Sequence, residues 1–423
     1  MNKKERKLFD LRNPWRKNRG FLVPRKYIER EIEKDLKSNM SSGDILVIYG
    51  PRQVGKTTLL HKTIRDLCKK GVSPKDLFYF FADDKLFKNY FREPIDLLEF
   101  IMSRKKKKAY LFIDEVQRLP NPGIFLKNLY DYKIKDLKII VTGSSVLEIR
   151  SKIVEYLPGR KKTFMLFPLS FKEILKFGKL TKEEQKKKAW QEYLIFGGYP
   201  KVFLAGRDSS KKQELKDIYE SYIKKDIVDY LKIEKPEKFN QLVILLADQI
   251  TGLVNIDEIT NTLGINRATV EKYLEVLEST FVVKKVYPFF RNPRTEIIKM
   301  PKIYFLDLGL RNMILRNFRD LDKRADTGKL AENFVFNQFE YNKDIETEIN
   351  FWRTKSGAEI DFVVQTSKGI NLYEVKYAKS VKRAETAATN SFGKKYKFNQ
   401  VFILTGGKVP KNKNCLNFWN MEH

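Results

Sequence analysis

Residues Gly50-Pro51-Arg52-Gln53-Val54-Gly55-Lys56-Thr57 fit the pattern G-x-x-x-x-G-K-[ST], a run of residue types suited to gripping a polyphosphate. Gly50 and Gly55 let the main chain approach an anion closely. Lys56 would reach the β- and γ-phosphates, and the Thr57 hydroxyl would ligate Mg2+, with Thr58 closing the binding stretch. A second motif, Tyr110-Leu111-Phe112-Ile113-Asp114-Glu115, ends an apolar run in two adjacent carboxylates. Asp114 would hold the Mg2+ and Glu115 would activate water; two solvated acids at a strand end become the lesser reading once the phosphate loop precedes them. Further on, Gly143-Ser144-Ser145 presents small hydroxyl residues, with Ser144 placed to sense a γ-phosphate or the attacking water. Arg160, in Leu157-Pro158-Gly159-Arg160, is either an arginine finger, in its own site or a neighbour's, or a surface residue beside Lys161 and Lys162.

A second constellation lies near the C-terminus. Glu359-Ile360-Asp361-Phe362-Val363-Val364, a polar turn at 366–369, and Ile370-Asn371-Leu372-Tyr373-Glu374-Val375-Lys376 predict a hairpin. With the turn centred between Ser367 and Lys368, Asp361 lies opposite Glu374, their Cβ atoms roughly 5 Å apart. Opposed carboxylates repel unless a cation sits between them, and a divalent ion with oxygen ligands suits the place. Lys376 projects from the same face. Asp361 and Glu374 as metal ligands, Lys376 positioning water or offsetting transition-state charge, and Glu332 from the amphipathic stretch 330–339 would together form a site for metal-dependent phosphodiester cleavage. In the same register Lys376 faces Glu359, and a plain cross-strand ion pair is the alternative.

The elements that must hold these residues follow from the apolar patterning. Residues 44–49 read as the strand before the phosphate loop, and the spacing from Thr58 to Leu67 predicts the helix after it, so the loop wraps an anion at a helix N-terminus. Residues 77–81, 110–115, 137–142 and 163–167 add strands of a parallel sheet. The strand at 77–81, falling between the two motifs, implies that the phosphate-loop and acidic strands are separated by an inserted strand. That arrangement, with a second acid, points to hydrolysis rather than kinase chemistry. The expected order is a basic N-terminal arm at 1–20, an α/β ATPase domain at 21–205, a helical and winged-helix region at 206–320, and an α/β nuclease-like domain at 321–423. Within the third, 256–274 predicts two helices turning at Gly264, with Asn266 as N-cap, Val270, Tyr273, Leu274 and Leu277 as the buried face, and 281–286 as a wing. Glu271, Glu275 and Glu278 on the second helix would repel phosphates, while Arg267 and Lys272 could touch a nucleic-acid backbone.

Composition narrows the partners. The chain has 423 residues and a formal charge of +30, from 83 basic and 53 acidic residues. Such an excess favours an acidic partner such as nucleic acid over a merely solvated surface. Two cysteines far apart and two histidines supply neither a disulfide framework nor a zinc site. No run approaches the ~20 apolar residues of a membrane span, so the expectation is a cytoplasmic protein.

Taken together, GPRQVGKT at 50–57, FIDEVQ at 112–117, TGSS at 142–145, LPGR at 157–160 and FPLSF at 167–171 resemble the motifs of archaeal and bacterial AAA-like ATPases that end in a domain of unknown function. GGYP at 197–200, YIKKD at 222–226, KIYFLDLG at 302–309, Glu332-Asn333 and the hairpin extend the resemblance over nearly the whole chain. It implies a P-loop ATPase domain with Gly55, Lys56, Thr57, Asp114 and Glu115 on its motifs. A winged helix and a fold similar to PD-(D/E)XK nucleases would follow, with Glu332, Asp361, Glu374 and Lys376 on the nuclease positions. Glu359-Ile360 stands where that nuclease pattern has Pro-Asp. The expectation is a Mg2+-dependent ATPase coupled to a DNA-directed, endonuclease-like module acting on DNA, branched DNA included, in a homo-oligomer; the alternative is a nucleotide switch whose C-terminal fold binds without cutting.

Overall fold

A computed structural model describes residues 2–17, 20–144, 156–227, 233–290, 300–354, 356–378, 387–409 and 414–421. The chain divides into two compact units, Met1–Phe167 with Ser279–Phe281, and Pro168–Glu278 with Val282–His423.

The first unit is built on five parallel strands: β1 (Ile45–Tyr49), β2 (Leu77–Phe81), β3 (Ala109–Asp114), β4 (Leu137–Gly143) and β5 (Lys161–Met165). Their order is β2-β3-β4-β1-β5. The phosphate-loop and acidic strands are therefore separated, and the inserted strand is β4; β2 lies at the edge. β1 to β4 are almost wholly buried, as expected of parallel strands covered on both faces. Helix Lys56–Lys69 follows the loop with Leu59, Leu60, Ile64 and Leu67 turned inward at helical spacing.

The N-terminal residues, expected as an arm either poorly ordered or packed at the periphery, pack on the edge strand. Helix Lys3–Arg12 buries Phe9 against Phe78, Phe80 and Phe100. The Asn13 amide then donates to the Tyr79 carbonyl (3.0 Å) and accepts from the Tyr79 N–H (2.8 Å). One side chain thus supplies a ladder rung to a strand edge that would otherwise be unpaired.

The second unit includes helices Phe171–Gly178 and Glu183–Phe196. They were expected inside the ATPase domain, yet the compact unit closes at Phe167, because Phe171 and Tyr193 pack on Phe334 of helix Thr327–Asn342 at 5.6 and 5.5 Å. Helices Ile256–Leu263 and Arg267–Ser279 turn at left-handed Gly264, Asn266 caps Thr269 N–H at 2.8 Å, and Val270, Tyr273, Leu274 and Leu277 are buried. After them β6 (Val283–Val286) pairs antiparallel with β7 (Lys302–Phe305). Arg267 is engaged by Asp257 and Glu271, and Lys272 by Glu234.

The last sheet has the order β12-β11-β10-β9-β8, from β8 (Glu348–Arg353), β9 (Glu359–Thr366), β10 (Gly369–Lys376), β11 (Gln400–Thr405) and β12 (Cys415–Asn417). β8, β9 and β10 form an antiparallel meander, and β11 and β12 add parallel to it.

Candidate nucleotide site and C-terminal carboxylate cluster

The phosphate loop runs from the end of β1 into helix Lys56–Lys69, so the loop amides and the helix N-terminus face one place. Gly50 is required: at φ 155° a Cβ would meet the Leu166 carbonyl oxygen at 2.1 Å. Gly55 takes φ 99°, where a side chain is strained. Arg30, unremarked in the sequence, anchors the loop by donating to the Val54 carbonyl (2.9 Å) and to the Phe167 carbonyl (2.6 Å).

Lys56 is 4% exposed and donates to the carbonyls of Gly50 (2.9 Å) and Pro51 (2.7 Å). Burial lowers its ammonium to about 8, against the pull of Glu115 and Asp114. Asp114, fully buried at the end of β3, accepts from the Thr57 hydroxyl at 2.6 Å, from Tyr79 OH at 2.8 Å and from Thr142. Burial pushes its carboxyl up, and the Thr142 and Thr57 hydroxyls pull the other way. A hydroxyl and a carboxylate in contact at the foot of the loop are the hard oxygen donors that suit Mg2+.

Glu115 follows in the left-handed region, φ 55°, with its N–H held by Thr142 Oγ1 at 3.1 Å. Its Oε2 accepts from Ser144 Oγ (2.9 Å) and from the Gln117 amide, which also reaches Ser144 at 3.0 Å. Ser144, expected to sense a γ-phosphate or the attacking water, is thus joined to Glu115, and Gln117, which closes FIDEVQ, is a further member of the group. Thr142 is another; it precedes Ser144 by two, the spacing that puts both on one face at the end of β4. Ser145 lies outside the described residues.

Arg160 does not join this group. Its carbonyl accepts from Ile45 N–H at the start of β1, whereas the loop begins after Tyr49, so the length of the strand, roughly 13 Å, separates them. The guanidinium binds Asp131 at 3.0 Å. This placement does not bring Arg160 to its own chain's phosphate loop.

In the second unit the predicted hairpin register holds from Gly369↔Thr366 to Tyr373↔Phe362. There the backbone ladder ends, and the Asp361 carboxylate takes over by accepting from Val375 N–H at 2.7 Å. Glu374 is 2% exposed; its Oε2 meets Lys376 Nζ at 3.0 Å and its Oε1 has no partner. Burial and then Asp361 push the Glu374 carboxyl up. Lys376 therefore pairs along its own strand rather than with Glu359.

Glu359 is bound instead by Lys302 Nζ at 2.6 Å, with Arg353 at 3.5 Å. The same Lys302 ammonium sits 3.0 Å from Glu332 Oε1, which also accepts from Tyr304 OH at 2.8 Å. Burial raises the Glu332 carboxyl, opposed by Lys302. Among the described residues no group of three or more acids, histidines or cysteines is gathered as a metal would need. Lys302 and Tyr304 belong to the quoted KIYFLDLG run, but the Lys302–Glu332 pairing spans 30 residues and leaves no local pattern.

Three regions match described families: residues 42–175 an AAA domain, 187–321 a domain of unknown function (DUF8612), and 327–422 a domain of unknown function (DUF4143). The uncharacterized protein MJ1544 of Methanocaldococcus jannaschii is 28% identical over 79% of this chain and 75% of its own length. An uncharacterized protein of Haemophilus influenzae is 25% identical over 79% and 82%. Among solved structures, the STAND protein PH0952 of Pyrococcus horikoshii, with a tetratricopeptide repeat sensor, is 15% identical with a TM-score of 0.33, covering 77% of this chain, which spans 47% of that protein. A replication initiator DnaA bound to AMPPCP and single-stranded DNA is 19% identical with a TM-score of 0.32, covering 61% of this chain and 93% of its own. Likenesses this faint say nothing about chemistry. Among the described residues no helix is long and apolar enough to cross a membrane. The family match at 42–175, the strand order and the loop geometry agree that the first unit carries an AAA-type P-loop fold.

Proposed function

We propose that this chain is a Mg2+-dependent ATPase whose nucleotide state governs a DNA-directed C-terminal module. The observation that carries the ATPase is the 2.6 Å contact of Thr57 with Asp114 beneath the phosphate loop, beside Glu115. Mg2+ held by Thr57 and Asp114 would offset charge on the β- and γ-phosphates. Lys56 would exchange the Gly50 and Pro51 carbonyls for phosphate oxygens, and the loop amides would orient the chain of phosphates. Glu115 would take the proton of the attacking water, with Ser144 and Gln117 fixing where its carboxylate points. Glu115→Gln should retain ATP binding and stop phosphate release; turnover equal to the wild type would remove Glu115 from the reaction. A homo-oligomer would let Arg160 reach a neighbour's site.

For the C-terminal module, the unpartnered Glu374 Oε1 beside Asp361 and Lys376 supports endonucleolytic cleavage of DNA, with Asp361 and Glu374 as the metal's ligands. Branched and linear DNA with Mg2+ or Mn2+ should be cut by the wild type and spared by Asp361→Ala and Lys376→Ala. A specific observation favours a second reading, a nucleotide switch whose module binds without cutting: Lys302 already neutralises Glu332 and Glu359. Under it no DNA is cut in any condition and ATP turnover ignores DNA.

A further inference from the structure

The carboxylate cluster of the second unit carries its own cation. Four acids feel one another's charge there without being gathered as a metal would need, Glu332, Glu359, Asp361 and Glu374, and the cations among them are Lys302, Lys376 and Arg353. Lys376 and Arg353 are both close to half exposed, whereas Lys302 is 4% exposed and reaches in from β7. Its ammonium stands between Glu332 (3.0 Å) and Glu359 (2.6 Å), and the Phe351 ring lies 5.4 Å away. With all seven groups charged, the cluster keeps one net negative charge, and the acid nearest to Asp361 from the helix, Glu332, is already held by an ammonium. Without Lys302 it would keep two, matching a divalent ion, and Glu332 would be released toward Asp361.

We infer that Lys302 is a resident counter-ion that excludes divalent metal from the Glu332–Asp361–Glu374 cluster, so that metal enters only when this lysine is withdrawn. The inference rests on the reading of Asp361 and Glu374 as metal ligands and assigns Lys302 as the residue that controls their occupancy. It is a positioning residue: it holds two carboxylates and contacts no substrate. Lys302 also forms part of β7, which pairs with β6 (Lys302 opposite Val286), so a shift of that ribbon would carry the ammonium with it.

The test measures Mn2+ binding to the full chain, without nucleotide, by electron paramagnetic resonance of free Mn2+. Lys302→Met should bind at least roughly tenfold more tightly than the wild type, and Asp361→Asn added to it should abolish the gain. Lys302→Arg, which keeps the charge, should bind as weakly as the wild type. Equal, tight binding by wild type and Lys302→Met, lost in both with Asp361→Asn, would overturn the inference while leaving the metal site standing. No binding in any variant would overturn the metal reading and the inference with it. Should Lys302→Met fail to fold, lysine acylation of the wild type read by mass spectrometry decides. Lys302 should stay unlabelled with and without millimolar MnCl2, and labelling that appears on adding Mn2+ would show an ammonium too easily displaced to exclude anything.

Discussion

Proton uptake should accompany ATP binding, because Lys56 is buried without a full counter-charge. Its folded pKa is depressed from 10.5 to about 8, a preference for the neutral amine worth about 3 kcal/mol at ~1.36 kcal/mol per unit. A depressed pKa adds stability that is complete above the unfolded value and is lost as pH falls through the folded one. The unliganded protein should therefore gain stability between about pH 8 and 10.5. A triphosphate in the loop reverses the balance by favouring the ammonium. Below about pH 8 the amine is already protonated and ATP affinity should be level. Above it, each pH unit should weaken binding by up to about tenfold, until the amine of the complex itself begins to titrate. Titration calorimetry from neutrality to about pH 9.5, in two buffers of different ionisation enthalpy, reads both the affinity and the protons taken up. Lys56→Arg keeps its charge throughout and should lose the slope. A wild-type affinity that stays flat above pH 8 with no proton uptake would refute the reasoning.

Other substitutions separate the roles assigned above. Arg30→Met leaves the Val54 and Phe167 carbonyls without a charged donor; at ~1.5–3 kcal/mol each, a loss of about tenfold or more in ATP affinity is expected from a fluorescent-nucleotide titration, and unchanged affinity would show the loop to be held by other contacts. Asn13→Ala removes the rung on β2 and should cost ~2–4 kcal/mol in urea unfolding, whereas a change below ~0.5 kcal/mol would mark the N-terminal helix as peripheral. Arg160→Ala should leave turnover at high dilution unchanged, since the guanidinium lies at the opposite end of β1 from the loop; a marked loss there would contradict that placement.

The phosphate loop was legible because its chemistry is done by backbone and by glycines whose positions are fixed by steric need, as the Gly50–Leu166 approach shows. The hairpin register was legible for a related reason: a period of two and one polar turn leave few alternatives. What escaped were groups brought together by tertiary packing. Arg160 reads equally as a finger or as a surface residue because residue type carries no direction. The N-terminal segment looked like an arm because its packing residues, Phe9, Asn13 and Trp15, are sparse among basic ones. The alternative pairing of Lys376 with Glu359 is not the one formed, because cross-strand opposition says which residues face each other but not which rotamer each takes, and the cation that binds Glu359, Lys302, arrives from β7.

The central claim is that residues 50–57 and Asp114 grip Mg2+ and a nucleoside triphosphate together, and equilibrium dialysis of the pure protein against labelled ATP with MgCl2 tests it most directly. Saturable binding approaching one ATP per chain, lost in Lys56→Ala and strongly weakened in Asp114→Asn, is the predicted result. No saturable uptake at millimolar ATP, or undiminished uptake by Lys56→Ala, would contradict it.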